Sequence, residues 1–307
     1  MPVSSPGILA PCVLVCGNVN LELGFTAPAL PLPEVESVEH PGALTLGVSG
    51  VGFNVAHALA RLGGGTRFLG FAGADAAGEV VRTRLAELGI GAHWLPAPAT
   101  PLSLVLTGPC GGRQIHRDLK GLNGAPAPRD AFLAALPGCE AVVLSNVPWT
   151  KDLLSEAQTR GLPVVTDLQA TPGPGEPYDE AYLHADVLFL SGARLPLPPL
   201  DALRAYRQRC DPEVLVIGLG EDGALLSERG RLPWHQPAVS TRPVVSTNGA
   251  GDALLAAFVC AYFGGMDARE ALRLACIFAS WACGEPGGAA GHLDWKGLTA
   301  LAGSVPL

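Results

Sequence analysis

Short runs that are apolar throughout, or nearly so, recur along the chain at Val13–Cys16, Arg67–Phe71, Ala141–Leu144, Pro163–Thr166, Asp186–Leu190 and Val214–Ile217. A strand with one wet face alternates apolar and polar side chains. A continuous apolar run instead predicts a strand buried on both faces, as in a parallel sheet between two helix layers. Longer stretches separate these runs. Asn54–Leu62 reads as a helix closed by Gly63-Gly64-Gly65, Gly78–Leu88 as one stopped by Gly89, and Ala253–Phe263 as a helix apolar on nearly every side, hence buried. The alternation predicts an α/β fold, a doubly wound and mostly parallel sheet between helix layers, in one domain over residues 1–307.

Two segments break the rhythm. Residues 21–46 and 94–123 contain no good helix and are rich in Pro, Gly and Thr. They read either as extra strands projecting from the sheet edge, a small β lid over a site, or as ordinary surface loops. No internal repeat or low-complexity linker is evident, and Pro196–Pro199 is only a local break.

Composition narrows the function classes. A formal charge of −8 argues against a phosphate-backbone binder, so no nucleic-acid partner is expected. The eight cysteines, at 12, 16, 110, 139, 210, 260, 276 and 283, form no Cys-x-x-Cys pair. They read as reduced core thiols, with Cys276 and Cys283 on one face of a helix, and fit a reducing cytoplasm. Met1–Ala10 lacks the basic start of a signal peptide, and Ala253–Phe263 is too short for a bilayer, which takes about 20 residues. No membrane partner is expected, and the localisation reads as cytoplasmic.

The strongest chemical signal is Ser246-Thr247-Asn248-Gly249-Ala250-Gly251-Asp252, led by a strand-like Val244-Val245 and followed by the buried helix. Glycines at 249 and 251 leave backbone N–H groups unobstructed at a helix N-terminus, a ready cradle for anionic oxygens. Asp252 is open to two readings, an ordinary first-turn carboxylate or a base for an attacking hydroxyl; position alone does not decide. Gly218-Leu219-Gly220-Glu221-Asp222-Gly223 spells a dinucleotide fingerprint after the strand Val214–Ile217. A true fingerprint opens a helix, whereas Ala224–Ser227 and Gly230 read as a hairpin strand, so a nicotinamide cofactor and an oxidoreductase are rejected.

Residues 247–252 resemble the Asp-Thr-x-Gly-Ala-Gly-Asp signature of the ribokinase-like (PfkB) carbohydrate and nucleoside kinases. Ser49-Gly50-Val51-Gly52-Phe53-Asn54-Val55-Ala56 is similar to that family's Gly-Gly-x-Gly-x-Asn-x-Ala run. Gly17–Glu22 resembles its first strand end and Gly73–Gly78 its Gly-x-Asp-x-x-Gly turn, all in family order. The resemblance implies transfer of a phosphoryl group from ATP, with Mg²⁺, to a hydroxyl of a small sugar, sugar derivative or nucleoside. It implies Asp252 as the base, the amides of Gly249, Ala250, Gly251 and Asp252 as an anion hole, and Asn18, Asn20, Glu22, Gly50 and Asn54 as substrate ligands. Gly218, Gly220, Gly223 and Asn248 would lie beside the nucleotide, as would the glycine-rich 287–291 stretch, and a homodimer would clasp through the lids. Asn54 also reads as a cap on its own helix. Asp167 reads either as holding magnesium through water or as capping its turn.

The chain departs from that pattern in places. Glu22 replaces an Asp, Ser49 a Gly, and Val51 lines a wall that is often polar, which together argue against plain ribose. Ser191-Gly192-Ala193-Arg194 stands where the family has Asn-x-x-Glu, with Arg194 reading as a phosphate contact or a solvated charge. Ser246 replaces an Asp that helps hold a monovalent cation, which argues against carrying that cation over. His57 reads as packing or capping, and His116 and Arg117 as lid residues that touch substrate or face solvent. These departures motivate the rival reading, a non-catalytic ligand-binding or sensing protein on a kinase scaffold.

Overall fold

The computed structural model describes residues 10–109 and 112–305; residues 1–9 and Cys110 lie outside them. The chain runs through β1 (Cys12–Cys16), β2 (Asn20–Thr26), β3 (Leu44–Ser49), α1 (Val51–Arg61), β4 (Gly65–Gly73), α2 (Ala76–Glu87) and β5 (Gly91–Ala97). After β6 (Leu102–Thr107) and β7 (Arg113–Asp118) come α3 (Arg129–Ala135), β8 (Ala141–Ser145), α4 (Leu153–Gln158), β9 (Val164–Asp167), β10 (Val187–Ser191) and α5 (Pro199–Arg209). A hairpin extension, β11 (Val214–Gly218), β12 (Ala224–Glu228) and β13 (Trp234–Gln236), precedes α6 (Ala250–Phe263), α7 (Ala268–Ala282) and α8 (Trp295–Ser304).

Nine strands form one sheet in the order β13-β12-β11-β10-β9-β8-β1-β4-β5, in which every pairing is parallel except the antiparallel β11–β12 and β12–β13 pairs. The apolar runs are continuous because both faces are covered. On β1, Val13 and Val15 pack under α1, α2, α6, α7 and α8, while Leu14 and Cys16 pack against the α3–α4–α5 layer. On β10, Val187 and Phe189 face the first layer, and Leu188 and Leu190 the second. The chain winds outward from β1 through β4 to β5 and then returns to β8 on the other side of β1. The carboxyl ends of β1 and β8 therefore meet at a topological switch point, where open α/β sheets place their ligands.

The two irregular segments supply a separate four-stranded sheet, β3-β2-β6-β7, so the strand reading of the lid holds. Trp94 differs: it belongs to β5 at the edge of the large sheet, and the lid strands of its segment run from Leu102 to Asp118. Pairing sorts the small sheet's faces. Leu23 lies between Leu46 and Leu104 on one face, while Asn20, Glu22 and Ser103 occupy the other.

Two local expectations are corrected. Val244 and Val245 form no strand; both side chains are exposed, and the Val245 and Ser246 N–H groups bond to the Cys283 carbonyl at the end of α7 instead of to a neighbouring strand. The helix α1 begins at Val51 with Gly50 as its N-cap, so Asn54 lies within the first turn and does not cap it. The described cysteines are free thiols, and no helix among the described residues is long and apolar enough to cross a membrane.

Candidate active site

The site begins where α1 meets the end of β1. Gly50 has φ +110°, and a Cβ there would lie 2.7 Å from the Asn18 carbonyl oxygen and 2.8 Å from Asn20 Oδ1. Only a residue without a side chain lets the helix approach this closely. The Phe53 N–H donates to the Asn18 carbonyl (3.3 Å), and Trp149 Nε1 donates to Asn18 Oδ1 (3.3 Å) from beyond β8. Asn20 Nδ2 donates to Ser103 Oγ (2.7 Å), and that hydroxyl reaches Glu22 Oε2 (3.2 Å). A serine of β6 thus ties together two residues of β2, and its hydroxyl hydrogen fixes the Glu22 carboxylate as the acceptor. A cleft of about 290 Å³ opens beside Glu22, Ser49, Phe53 and Arg84, closed on the other side by residues 286–290.

From α1 the site crosses to α6. Asn54 Nδ2 donates to Asp252 Oδ2 at 2.7 Å, joining residues 198 apart in sequence. Asp252 is buried, while Gly251 beside it is exposed and Gly249 and Ala250 are half-buried, so the start of α6 opens to the surface. Among the described residues the N–H groups of Gly251 and Asp252 have no backbone partner outside the helix, as the first turn of a helix requires. Gly249 has φ +75°, and a Cβ there would fall 2.3 Å from the Gly288 carbonyl oxygen. A Cβ on Gly288 would in turn meet Asn54 Nδ2 at 2.7 Å. The 287–291 stretch therefore packs, backbone to backbone, over the cradle. Arg242 braces the segment leading into that stretch, donating to the Trp281 carbonyl (2.7 Å) and to Glu285 Oε1 (2.9 Å).

Burial raises the Asp252 pKa to about 7, against the hydrogen bond from Asn54; the charge of Asp167 raises it further, and Gln169 opposes by hydrogen bonding. Asp167, at the end of β9, is raised to about 6 by burial, opposed by the Gln169 N–H. A Cβ on Gly251 would lie 3.8 Å from Asp167 Oδ2. Two carboxylates with raised pKa values thus share the corner where the helix amides emerge, an arrangement suited to taking a proton near neutral pH.

The hairpin glycines split into two kinds. Gly218 sits at the carboxyl end of β11, where a Cβ would be 3.9 Å from Leu254 of α6, and Gly220 is exposed at the turn. Gly223 has φ +91° and packs on β13, a Cβ there falling 2.1 Å from the Gln236 carbonyl oxygen. The Asn248 N–H donates to Ser246 Oγ (3.1 Å), closing the turn before the cradle. Arg194 is exposed and, among the described residues, reaches only the Ala170 carbonyl (3.5 Å). His57 packs: its Nδ1 lies 3.1 Å from Nδ1 of His292, and burial lowers their pKa values to about 3 and about 4. His116 and Arg117 are exposed on β7. Sequence reasoning missed Ser103, Trp149 and Gln169, which are brought in by contacts distant in sequence or by an unusual backbone angle; Gly288 belongs to the glycine-rich stretch that it placed beside the nucleotide.

Comparison with known proteins bears on the family and the fold. The family model "pfkB family carbohydrate kinase" matches residues 11–121 and 185–295. The acarbose 7(IV)-phosphotransferase of an Actinoplanes species is 28% identical over 294 residues, covering 93% of this chain and 96% of that protein. The bifunctional protein HldE of Pectobacterium carotovorum is 26% identical over 323 residues; the alignment takes in 94% of this chain but spans 63% of HldE. The solved structure of the microbiome-derived acarbose kinase Mak1 superposes with a TM-score of 0.88 at 27% identity, covering 96% of this chain and 99% of that one. The ribokinase of Arabidopsis thaliana complexed with ribose and ATP shares the fold, with a TM-score of 0.79 at 22% identity and coverage of 96% and 99%.

Proposed function

The chain belongs to the pfkB family of carbohydrate kinases, and from that premise we propose that it moves the γ-phosphoryl group of ATP onto a hydroxyl of a small sugar or sugar derivative, with Asp252 as general base. The observation that carries this reading is the placement of Asp252. Its carboxylate is buried, oriented by Asn54, and set beside the open amides of α6. An acceptor hydroxyl brought to Asp252 gives up its proton as its oxygen attacks phosphorus. The Gly251 and Asp252 amides face the charge that spreads over the transferred group, while the Ala250 N–H beside them is already donated to the Thr247 carbonyl (3.4 Å). Asn18, Asn20, Glu22, Gly50 and Asn54 hold the acceptor, with Ser103 setting the Glu22 carboxylate to receive a hydroxyl hydrogen. The nucleotide lies along the edge formed by Gly218, Gly220 and Asn248, with Gly223 supporting that turn from beneath.

Mg²⁺ fits this corner through Asp167, since the ion keeps several waters and takes few protein ligands. Both Asp167 oxygens already accept hydrogen bonds from Gln169, which favours contact through water over direct ligation. The ion supplies charge neutralisation to the phosphates when bound.

Two relatives that align end to end carry acarbose kinase names, so acarbose heads the acceptor panel, followed by D-ribose, other monosaccharides and nucleosides. Each acceptor is tested with ATP and Mg²⁺ for product formation and for a rise in melting temperature, which a ligand specific for the folded state produces. A phosphorylated product from at least one sugar is expected. Melting-temperature shifts with no product from any acceptor would favour the non-catalytic binder.

The partner completing the assembly is a second copy of this chain. Leu23, Leu44, Leu46 and Leu102 are exposed on the face of the small sheet opposite Asn20 and Glu22, an apolar surface of the kind that marks an interface. Light scattering is expected to give twice the 31.5 kDa chain mass, and Leu46→Asp to return it to the single-chain value. A wild-type mass of one chain would remove the dimer.

A further inference from the structure

His116 and Arg117 are neighbours on β7 and both exposed, yet strand pairing sends them to opposite faces of the small sheet. His116 stands opposite Leu104, which pairs with Leu23, so it joins the leucine face. Arg117 stands opposite Ser103, Ser103 opposite Glu22, and Glu22 opposite Gly47. Side chains directly opposite across an antiparallel pair share a face, with Cβ atoms about 5 Å apart. One row across the inner face therefore reads Gly47, Glu22, Ser103, Arg117. Its centre is fixed by contact, since Ser103 Oγ reaches Glu22 Oε2 (3.2 Å) and accepts from Asn20 Nδ2 (2.7 Å).

Height along the strand matters as much as face. The β6–β7 hairpin turns at residues 108–112, where the Gly108 N–H donates to the Gly112 carbonyl (2.9 Å), and Arg113 lies at that tip. Arg117 lies at the other end. The turn after β7, Leu122–Gly124, packs against Pro148–Thr150, the segment that sets Trp149 Nε1 on Asn18 Oδ1. The base of β7 is thus held beside residues proposed to bind the acceptor. Charges on an edge strand keep it from pairing with other chains, which accounts for a cation anywhere on β7 but not for one in line with Glu22. The adjacent Asp118 is taken by Lys120, and among the described residues no carboxylate pairs with Arg117.

We propose that Arg117 is a specificity-determining residue, its guanidinium closing on a pair of neighbouring oxygens of the acceptor, two strands away from the part that Glu22 holds. The inference rests on the proposed acceptor site. Neighbouring strands lie 4.7–4.9 Å apart, so the two side chains start roughly 10 Å from each other and meet different parts of the molecule. Their chemistry is complementary. An ionised Glu22 only accepts hydrogen bonds, whereas a guanidinium offers five N–H donors and accepts none. Its planar fork fits two oxygens at once, those of a 1,2-diol or of a carboxylate or phosphate, and the ammonium of lysine does not.

The test measures acceptor binding by calorimetry without nucleotide and turnover with ATP and Mg²⁺, using acarbose, D-ribose and D-ribose 5-phosphate as probes. Arg117→Ala is expected to raise the acceptor KM and dissociation constant about tenfold while kcat and the KM for ATP stay within about twofold. A contact made equally before and during transfer affects binding alone. Arg117→Lys is expected to recover only a small part of the loss. Arg113→Ala removes the same charge from the same face of the same strand, about 13 Å further along, and is expected to leave acceptor binding unchanged. All three side chains are exposed, so melting temperatures should not move. A loss confined to the phosphate probe assigns the paired oxygens to an anionic group, and a loss shared with the neutral sugars assigns them to a diol; both support the contact. Wild-type binding in Arg117→Ala, an equal loss in Arg113→Ala, or full rescue by lysine would overturn it and leave the kinase reading standing. A wild type that turns over no acceptor sinks the kinase reading instead, and calorimetry then decides Arg117 alone. A wild type that binds none of the probes removes both.

Discussion

Asp252→Asn is expected to lower phosphoryl transfer by on the order of 10²-fold or more while leaving ATP affinity near the wild-type value. The substitution preserves shape and keeps an oxygen able to accept from Asn54 Nδ2, so the α1–α6 contact survives. It removes a buried charge lying near that of Asp167, so the fold should not weaken. The loss would then be chemical: the acceptor hydroxyl has nowhere to send its proton. Single-turnover transfer and calorimetric ATP binding on the same preparation check both halves, and a fully active variant would refute Asp252 as the base.

The pH dependence follows from the same residue. With its pKa near 7, Asp252 is increasingly protonated below neutrality, and a protonated base accepts nothing. The rate should therefore fall as pH drops through about 7, approaching tenfold per pH unit. Asp167→Asn removes a like charge, makes the ionised Asp252 less costly, and should move this limb to lower pH. The stability sign runs the other way. An aspartate whose folded pKa exceeds the ordinary 3.8 binds its proton more tightly in the folded state, so this group withdraws stability as pH rises from about 4 to about 7. Asp252→Asn should accordingly melt higher than wild type at pH 8.

Gly249→Val is the second large effect. The native φ of +75° disfavours any side chain there by about 1–2 kcal/mol. A Cβ would also strike the Gly288 carbonyl oxygen at 2.3 Å, and overpacking against backbone adds about 1–3 kcal/mol. Relief requires the 287–291 stretch to lift from the start of α6, which disturbs both the cradle and the packing against Asn54. Transfer is expected to drop by about 10²–10³-fold, the loss seen when one donor of a charge-stabilising hole is removed. Gly287→Ala is the control, because Gly287 has φ +90° with no atom within 4 Å of its added Cβ. It should show the strain in a urea melt and keep most of the activity. Equal activity losses in the two variants would sink the cradle argument.

The sheet was legible because its strands are buried on both sides: Val13, Leu14, Val15 and Cys16 each have a core to enter, alternately above and below. The chemistry was legible where it is local. Residues 247–252 carry turn, cradle and carboxylate within six consecutive positions. Val244 and Val245 misled because apolar character alone cannot tell a strand from a segment held by α7 backbone, and their side chains point to solvent. The capping alternative for Asn54 fails because Gly50 and Gly52, which look like interruptions of a helix, are what let its first turn settle against Gly17 and Asn18. Ser103 and Gln169 had no signal at all. One is made relevant by pairing across more than 80 residues, and the other by a backbone angle that glutamine does not advertise.

The Asn54–Asp252 hydrogen bond joins the first quarter of the chain to its last. A protein emerging from the ribosome acquires its acceptor-binding residues early, but nothing orients the base until α6 has emerged and docked on α1. Competence therefore comes late and all at once. Fragments ending before α6 can fold parts of the sheet without gaining any trace of catalysis, and recovery of turnover during refolding reports closure of the whole chain on itself.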